Sequence, residues 1–256
     1  MLKKIVRIVL TGFIVYSLVR IGTYCASLYR ADAKYADLKK DTTVSFTESK
    51  EQKIDDYAYE SLNSNLSVDF YKMSSDFSDF IGWLYIPDTK ISYPVMYLES
   101  DNDFYLHHLP NGEKNIAGAL FLDGLSNSIN SENLIIYGHN MKNGSMFGRL
   151  KKFTDKDFFE SHPFIELHTA QGIRFYLIFS VRKVLKTDEN TFTIDGLQAS
   201  TYIDNALKEN TFSYKTLTRD VPLSEIETHV EPQLITLSTC TGDSRYRLIV
   251  NGVRVK

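Results

Sequence analysis

The carboxyl-terminal two thirds of the chain consist of short apolar runs separated by polar, turn-like segments. Short runs rich in β-branched and aromatic residues are typical of strands. Many such strands with few helices favour a closed or nearly closed barrel of about eight strands, so we predict a mainly β fold. The predicted strands are Trp83–Ile86, Tyr93–Tyr97, Ile116–Phe121, Leu134–Tyr137, Phe164–His168, Arg174–Val184, Leu234–Thr239 and Arg247–Val255.

Two segments have the apolar spacing of helices instead. Tyr57–Phe80 carries apolar residues at irregular helical spacing among Ser, Asn and Asp, which predicts an amphipathic helix packed on the barrel. Gln198–Asn210 follows the turn-like Asp195-Gly196 and predicts a helix inserted between the sixth and seventh strands. The predicted fold is therefore a barrel preceded by a helical segment and interrupted by one helix.

The amino terminus has the pattern of a membrane span. Lys3 and Lys4 precede the apolar stretch Ile5–Ala26, which as a helix would be about 33 Å long, close to the thickness of a hydrocarbon core. Basic residues ahead of a span favour a cytoplasmic amino terminus, with everything downstream outside the cell. Arg20 is costly in a bilayer unless it extends toward the interface, so a cleaved signal peptide is the alternative.

Composition divides the chain into three parts. Residues 31–56 are mostly polar and charged and cannot build a core alone, which predicts a stalk or a loosely held helix. We therefore expect residues 1–30 to form a cytoplasmic amino terminus and transmembrane anchor, and residues 31–56 to form a stalk or linker. Residues 57–256 would form an extracellular domain that begins with the predicted amphipathic helix.

Charge and cysteine usage narrow the function classes. The first 30 residues hold five basic and no acidic residues, so the formal net charge of −3 for the chain becomes −8 over the remainder. An acidic domain argues against a nucleic-acid partner. The histidines lack metal-ligand spacing with a second cysteine or a carboxylate pair, so we predict neither a metal nor a cofactor.

Three chemically reactive side chains stand at the ends of apolar runs. Cys240 closes the run Ile235–Cys240, Arg247 opens the next run, and His139 follows Leu134–Tyr137. If these ends are neighbours in the barrel, a nucleophile, an imidazole and a guanidinium meet at one edge of the sheet. That arrangement is typical of acyl transfer by a Cys/His pair.

Each residue type has a definite task in such chemistry. The thiolate is the reactive form of cysteine, and positive charge from His139 and Arg247 would favour it. Arg247 and the backbone N–H of Thr241 could stabilise the oxyanion that forms when a carbonyl is attacked. His139 would protonate the leaving amine and later deprotonate the incoming nucleophile, which gives a two-step covalent exchange.

Simpler interpretations apply to each residue alone. A cysteine at the end of an apolar run is most often a small buried residue, and a single His or Arg at a strand end is commonly structural. Arg245 lies two residues before Arg247 and would face the same side of a strand, so both are candidates. Arg247 is favoured because the unbroken apolar run follows it directly. Asp243 lies in the turn-like Thr241–Ser244, which favours a turn role over a place in a triad.

The same residues resemble the signatures of the sortases, and of class B in particular. The resemblance rests on Thr236–Cys240, Arg247 and Tyr137–Met141, and it follows the order of the class over Phe80–Val255. Further matching segments are Gly82–Thr89, Tyr93–Val95, Asn102–Leu106 and Leu120–Asp123. The fold that this resemblance implies is a sortase-like closed β-barrel.

The resemblance also implies roles for individual residues. It makes His139, Cys240 and Arg247 the catalytic residues. The inserted helix would form one wall of a peptide groove. The positions expected to contact a bound peptide are Asn102, Leu106, Tyr137, Tyr202, Ile203 and Ser238, together with Thr241 from the oxyanion argument.

The implied activity is that of a membrane-anchored cysteine transpeptidase outside a Gram-positive-type cell. It would cleave a sorting pentapeptide near the carboxyl terminus of secreted proteins and join them to a cell-wall peptidoglycan amine. Its partners would be those secreted proteins, the peptidoglycan cross-bridge amine and the lipid bilayer. A pilin-polymerising sortase and a catalytically silent, surface-tethered binding module are the two alternatives.

Overall fold

The computed structural model describes residues 2–44, 62–126, 128–196, 198–208, 217–219 and 232–256. The strands are β1 (Thr43–Val44), β2 (Ser67–Val68), β3 (Phe80–Tyr85), β4 (Ser92–Met96), β5 (Leu120–Leu122), β6 (Asn133–Tyr137), β7 (Phe164–Thr169), β8 (Gly172–Leu185), β9 (Leu217–Thr218), β10 (Leu234–Cys240) and β11 (Tyr246–Arg254). The helices are α1 (Leu2–Thr42), α2 (Phe70–Asp76), α3 (Phe104–His107), α4 (Lys156–Ser161) and α5 (Ala199–Lys208), with a 3-10 helix at Phe147–Thr154.

Eight of these strands form a closed barrel, which confirms the predicted fold class. Their order is β11-β10-β6-β5-β4-β3-β7-β8, and pairing of β8 with β11 closes the ring. The pairs β6–β10 and β4–β5 are parallel, and the other neighbours in the ring are antiparallel. Closure pairs strands that an open sheet would leave at its edges.

Aromatic side chains fill much of the core. Trp83, Tyr176 and Phe179 are fully buried. The polar atoms of Trp83 and Tyr176 have partners. The Trp83 indole Nε1 donates to the Ser92 hydroxyl at 3.0 Å, and the Tyr176 hydroxyl donates to Gln233 Oε1 at 2.7 Å. Such bonds remove most of the cost of burying a polar tip.

The inserted helix lies where the sequence predicts it. Helix α5 falls between β8 and β10, the sixth and seventh strands of the barrel in chain order. Residues 209 and 210 of the predicted helix lie outside the described residues.

The third predicted strand is shorter than expected. The apolar run Ile116–Phe121 predicts a strand of that length, but only Leu120–Leu122 pairs. Asn115 begins a turn instead, because its side-chain Oδ1 accepts from the Ala117 N–H and its carbonyl accepts from the Gly118 N–H. Gly118 has φ of +57°, a conformation that suits glycine and ends any extended run.

Within Tyr57–Phe80 the structure has a helix, but a much shorter one than the sequence predicts, over Phe70–Asp76. Residues 57–61 lie outside the described residues, and from residue 62 onward the chain forms β2 and then the short helix α2. Polar side chains compete locally with a continuous helix, since the Ser64 hydroxyl accepts from the Leu66 N–H. Asp69 then starts α2 afresh as its amino-terminal cap, accepting from the Lys72 N–H.

Helix α1 runs without a break from the apolar stretch into the domain. It is long and apolar enough to cross a membrane, and the side chains of its apolar window are exposed. Farther along, Ala31, Tyr35, Leu38 and Thr42 are buried. Their spacing of three or four residues forms one helical stripe. Residues 31–42, for which the sequence predicts a stalk or a loosely held helix, are thus helical and pack on the barrel. Residues 45–56 lie outside the described residues.

Candidate active site

Three neighbouring strands bring the predicted reactive residues to one end of the barrel. Strand β10 lies between β6, to which it is parallel, and β11, to which it is antiparallel. Cys240 ends β10 and is the direct register partner of Arg247 on β11. Directly paired residues project on the same side of a sheet, so the thiol and the guanidinium share one face.

The pairing of β6 with β10 places His139 beside Cys240. Tyr137 pairs with Ser238, and the ladder continues because the Gly138 N–H donates to the Ser238 carbonyl at 3.2 Å. Extended by two residues, this register brings His139 level with Cys240. A further bond fixes the two strand ends, since Asn140 Nδ2 donates to the Cys240 carbonyl at 2.8 Å. Cys240 itself is exposed.

The imidazole of His139 is oriented by a backbone carbonyl. Its Nε2 lies 2.7 Å from the Leu106 carbonyl oxygen. Because a carbonyl only accepts, Nε2 carries the proton, and Nδ1 is the nitrogen of the neutral ring that can take up another. Leu106 therefore contacts His139 through its main chain, and contact of its side chain with a peptide stays a prediction.

Burial lowers the pKa of His139 below its ordinary value of 6.5. The Leu106 carbonyl opposes this effect, whereas His107, whose ring centroid lies 6.4 Å away, adds to it. The neutral imidazole therefore predominates at pH 7.

We expect the His139 imidazole to titrate with a midpoint below 6.5. Because the unfolded chain binds the proton more readily, this group contributes folding stability that is fully present above pH 6.5 and is lost as pH falls through the folded-state pKa. The check is an NMR titration of ¹³C-labelled histidine, with the His139 signal assigned by its absence in a His139→Gln variant. A midpoint at or above 6.5 would contradict the burial argument.

The main chain of His139 is held by the loop that follows it. Its carbonyl accepts from the Met141 N–H at 3.1 Å and from the Phe147 N–H at 3.0 Å. Gly148 makes this close return possible, because a Cβ there would lie 2.2 Å from the Met141 carbonyl oxygen. The loop therefore depends on a residue without a side chain at position 148.

We expect Gly148→Ala to lower the free energy of unfolding by about 2 kcal/mol, because main-chain atoms cannot yield to the new methyl group as a flexible side chain could. The matched control is Gly242→Ala, where a Cβ would meet nothing within 4 Å. That control should change stability by less than about 0.5 kcal/mol. Urea unfolding of both variants measures the difference, and equal values would show that the loop absorbs the methyl group.

The structure distinguishes the two arginines that the sequence left open. Arg245 lies in the turn and forms an ion pair with Asp243, with Nη2 2.7 Å from Oδ2. This bond lowers the pKa of Asp243 to about 2. Arg247 is half-buried and donates to the Ser244 and Tyr246 carbonyls, at 3.2 and 3.1 Å. Among the described residues it makes no ion pair, so its charge is not offset by a carboxylate.

Asp243 has the turn role that its sequence context predicts. Its N–H donates to the Thr241 hydroxyl at 3.2 Å, and that hydroxyl donates back to the Asp243 carbonyl at 2.7 Å. The Thr241 side chain is thus engaged within the turn.

Two of the predicted peptide contacts line the surface next to the strand ends. The Tyr137 hydroxyl donates to Asp123 Oδ2 at 2.8 Å, and burial followed by Asp123 raises its pKa. Asn102 is exposed and accepts from the Gly124 N–H at 2.8 Å through Oδ1. Both side chains therefore hold the Asp123-Gly124 turn beside β6.

Ser238 lies two residues before Cys240 and is 1% exposed. Its hydroxyl has no hydrogen-bond partner among the described residues. A buried polar atom without a partner is uncommon. Ser238 pairs with Tyr137 across the β6–β10 ladder.

Tyr202 and Ile203 do not project from α5 as a groove lining. They are 6% and 2% exposed and pack in a second core cluster with Leu177 and Phe179. Tyr202 also borders a cavity of about 250 Å³ between α5 and the loop after β8. In this structure both side chains hold α5 on the barrel, and their contact with a peptide stays a prediction.

The sequence does not reveal two contributions to the site. The Leu106 carbonyl has no signal in any side-chain pattern, because every residue has a carbonyl. Asn140 follows His139 directly and its amide bonds the Cys240 main chain, yet an Asn after a strand is also typical of an ordinary turn.

Comparison with known proteins places this geometry in a family. A model of the sortase domain matches residues 84–255. Sortase B of Listeria monocytogenes is 31% identical over 244 residues, which cover 92% of this chain and 94% of that protein.

Solved structures agree with this match. Sortase B from Bacillus anthracis, solved in complex with AAEK1, has a TM-score of 0.66 and 26% identity, and the match covers 90% of this chain and 99% of that one. A complex of Staphylococcus aureus sortase B with substrate has a TM-score of 0.63 and 25% identity over 73% of this chain and 84% of that one.

Proposed function

Because this chain belongs to the sortase family and is a sortase B-type transpeptidase, we propose that it cleaves a carboxyl-terminal sorting pentapeptide of secreted proteins through a thioacyl intermediate on Cys240. The observation that carries the proposal is the convergence of three strand ends. Cys240 is exposed and directly paired with Arg247, and His139 follows the end of the adjoining parallel strand β6.

In the first half of the reaction, the Cys240 sulfur attacks the carbonyl carbon of the scissile bond, which follows Thr in the pentapeptide. The His139 imidazole takes the thiol proton at Nδ1 as attack begins. When the tetrahedral intermediate collapses, the C–N bond breaks and the amine leaves with that proton. The peptide acyl group is then a thioester on Cys240.

In the second half, an amine of the cell-wall peptidoglycan attacks the thioester carbonyl. His139 accepts the proton of the attacking amine, the C–S bond breaks, and the proton returns to the thiol. The result is a new amide and an unchanged enzyme, so the exchange needs no cofactor.

Arg247 stabilises the negative oxygen that forms in both tetrahedral intermediates. Its guanidinium is fixed by two carbonyls and by its register with Cys240. A preorganised donor of this kind acts where charge develops, and the backbone N–H of Thr241 is the second donor that we propose.

The sorting peptide lies over the ends of β6 and β10, where Tyr137 and Asn102 present side chains. The Ser238 hydroxyl, buried and without a partner among the described residues, reaches a peptide polar group only if the strand ends shift when the peptide binds. We propose that the Leu106 side chain contacts the peptide at the same surface, while its carbonyl accepts from His139 Nε2. Helix α5 forms the opposite wall of the proposed peptide groove, and Tyr202 and Ile203 hold this helix on the barrel.

We place the enzyme on the outer face of a cell membrane as a single-pass protein with a cytoplasmic amino terminus. The support is the apolar, exposed part of α1 and the basic residues ahead of it. The domain scheme that follows has residues 1–30 as amino terminus and anchor and residues 57–256 as the extracellular catalytic domain. Residues 31–42 of the former linker join that domain.

The test is incubation of the full-length protein in detergent micelles with a library of quenched fluorescent sorting pentapeptides, followed by intact-mass analysis. A thioacyl adduct with one peptide, released by an added amine, is the expected result. Release by a lysine of a pilin subunit but not by a peptidoglycan amine would favour the pilin-polymerising alternative. Absence of any adduct on folded protein would favour a silent binding module.

A further inference from the structure

Tyr35 is the residue through which α1 makes its most specific contact with the barrel. It is 5% exposed, and its hydroxyl donates to the Gly118 carbonyl at 2.6 Å. Burial raises the pKa of Tyr35 well above its ordinary value, so the hydroxyl stays protonated as a donor. The same helix holds the same loop a second time, since Asn115 Nδ2 donates to the Ser27 carbonyl at 3.1 Å.

The loop that accepts the Tyr35 hydrogen bond packs against the Leu106 carbonyl, which orients His139. Gly118 packs against the main chain of α3 so closely that a Cβ there would lie 2.6 Å from the Leu106 carbonyl oxygen. Hydrogen bonds fix this approach, because the Ala119 N–H donates to the Tyr105 carbonyl at 2.9 Å and the Asn115 N–H donates to the His107 carbonyl at 2.9 Å. Gly118 therefore lies against the Leu106 carbonyl, which accepts from His139 Nε2, in a loop tied to both residues that flank Leu106.

A second route leads from Tyr35 to the main chain of His139. The Tyr35 ring meets the Tyr93 ring edge to face, with centroids 5.1 Å apart. The Tyr93 hydroxyl accepts from the Met146 N–H at 3.1 Å. Met146 has φ of +49°, a left-handed conformation that non-glycine residues adopt only when their surroundings hold it. The next N–H, of Phe147, donates to the His139 carbonyl.

We propose that Tyr35, together with Tyr93, is a positioning residue for His139, so that the juxtamembrane part of α1 is a component of the catalytic unit. The two routes reach different parts of the same residue, one through the imidazole and one through the main chain. This inference rests on the catalytic role proposed for His139.

The test compares Tyr35→Phe with wild type as full-length protein in detergent micelles. This substitution keeps the ring and its contact with Tyr93 but removes the bond to Gly118. We expect kcat/KM for the cleaved pentapeptide to fall about tenfold, mainly through kcat. We also expect the His139 midpoint, in the pH profile and in ¹³C-histidine NMR, to move further below 6.5, because displacing the Leu106 carbonyl removes the hydrogen bond that raises this pKa.

Tyr176→Phe is the matched control, because Tyr176 is equally buried and also loses one hydroxyl bond, to Gln233. A comparable loss of Tm in both variants, with the pH profile and kcat changed only in Tyr35→Phe, supports positioning. If Tyr35→Phe keeps the wild-type profile and kcat/KM within about twofold, its role is structural only and the inference is overturned.

Tyr93→Phe decides the matter if Tyr35→Phe does not fold, because it removes only the bond to the Met146 N–H. A shifted His139 midpoint in that variant supports the inference, and an unshifted one overturns it. The NMR titration also separates this inference from the proposed function. If wild type forms no Cys240-dependent adduct, the proposed chemistry fails, while the His139 shift still tests positioning by Tyr35.

Discussion

Cys240→Ala is expected to abolish thioacyl formation and to lower transpeptidation by at least about 10³-fold, because no other group can take the place of the nucleophile in covalent catalysis. The variant should fold as wild type does, since Cys240 is exposed at the end of β10 and its thiol fills no core position. Intact mass after incubation with the cleaved pentapeptide measures the adduct, and the rate of peptide release measures turnover.

Cys25→Ala is the control for the Cys240 variant. Both cysteines are free and exposed, and Cys25 lies on the apolar part of α1, far along the chain from the strand ends. It should leave activity within about twofold of wild type, as surface substitutions away from a site usually do. Retention of the adduct in Cys240→Ala, or its loss in Cys25→Ala, would refute the assignment of the nucleophile.

Arg247→Ala is expected to lower kcat by about 10² to 10³-fold, the usual effect of removing one donor to an oxyanion. Arg247→Lys should recover only part of the loss, because an ammonium keeps the charge but not the fixed planar geometry of the guanidinium. KM should change little, since the interaction forms as charge develops on the carbonyl oxygen. Steady-state cleavage of the fluorescent pentapeptide separates the two constants.

Arg245→Ala is the matched comparison within the same turn. Arg245 is paired with Asp243, and its side chain is 73% exposed, so its removal should change kcat by no more than about threefold. A larger effect for Arg245→Ala than for Arg247→Ala would reverse the assignment and make Arg245 the anion stabiliser.

The strands and the positions of the reactive residues at their ends could be predicted from the sequence. Alternation and β-branched content identify buried strands wherever the run is long, as in β8 and β10. The third strand was overestimated because the apolar residues of Ile116–Leu120 conceal a turn that the Asn115 side chain directs. A single polar side chain thus outweighed an apolar run.

Register and backbone contacts could not be predicted. That Cys240 pairs with Arg247, and that β6 runs beside β10, follows from how distant strands align, and no local pattern encodes this. The same holds for the Leu106 carbonyl. The apolar run after Arg247 favours that arginine in the sequence, but the ion pair that engages Arg245 with Asp243 depends on the conformation of the turn.

The helical segments before the barrel could be predicted only in part. Over Tyr57–Phe80 the apolar spacing is irregular; Ser64 bonds to nearby main chain in a way that competes with a helix, and Asp69 starts the short helix α2 as its cap. Residues 31–42 have few apolar positions, so their sequence does not distinguish a stalk from a helix that packs on the domain. The four buried residues lie on one stripe, and a stripe gains burial only when a barrel surface is present to receive it.

The closure of the barrel by β11 sets the order in which the enzyme can become active. This strand pairs on one side with β10, beside Cys240, and on the other with β8, and it carries Arg247 at its start. Synthesis from the amino terminus therefore presents Cys240 before Arg247 and before the strand that closes the barrel. The thiol gains its paired guanidinium only when β11 has joined both of its neighbours.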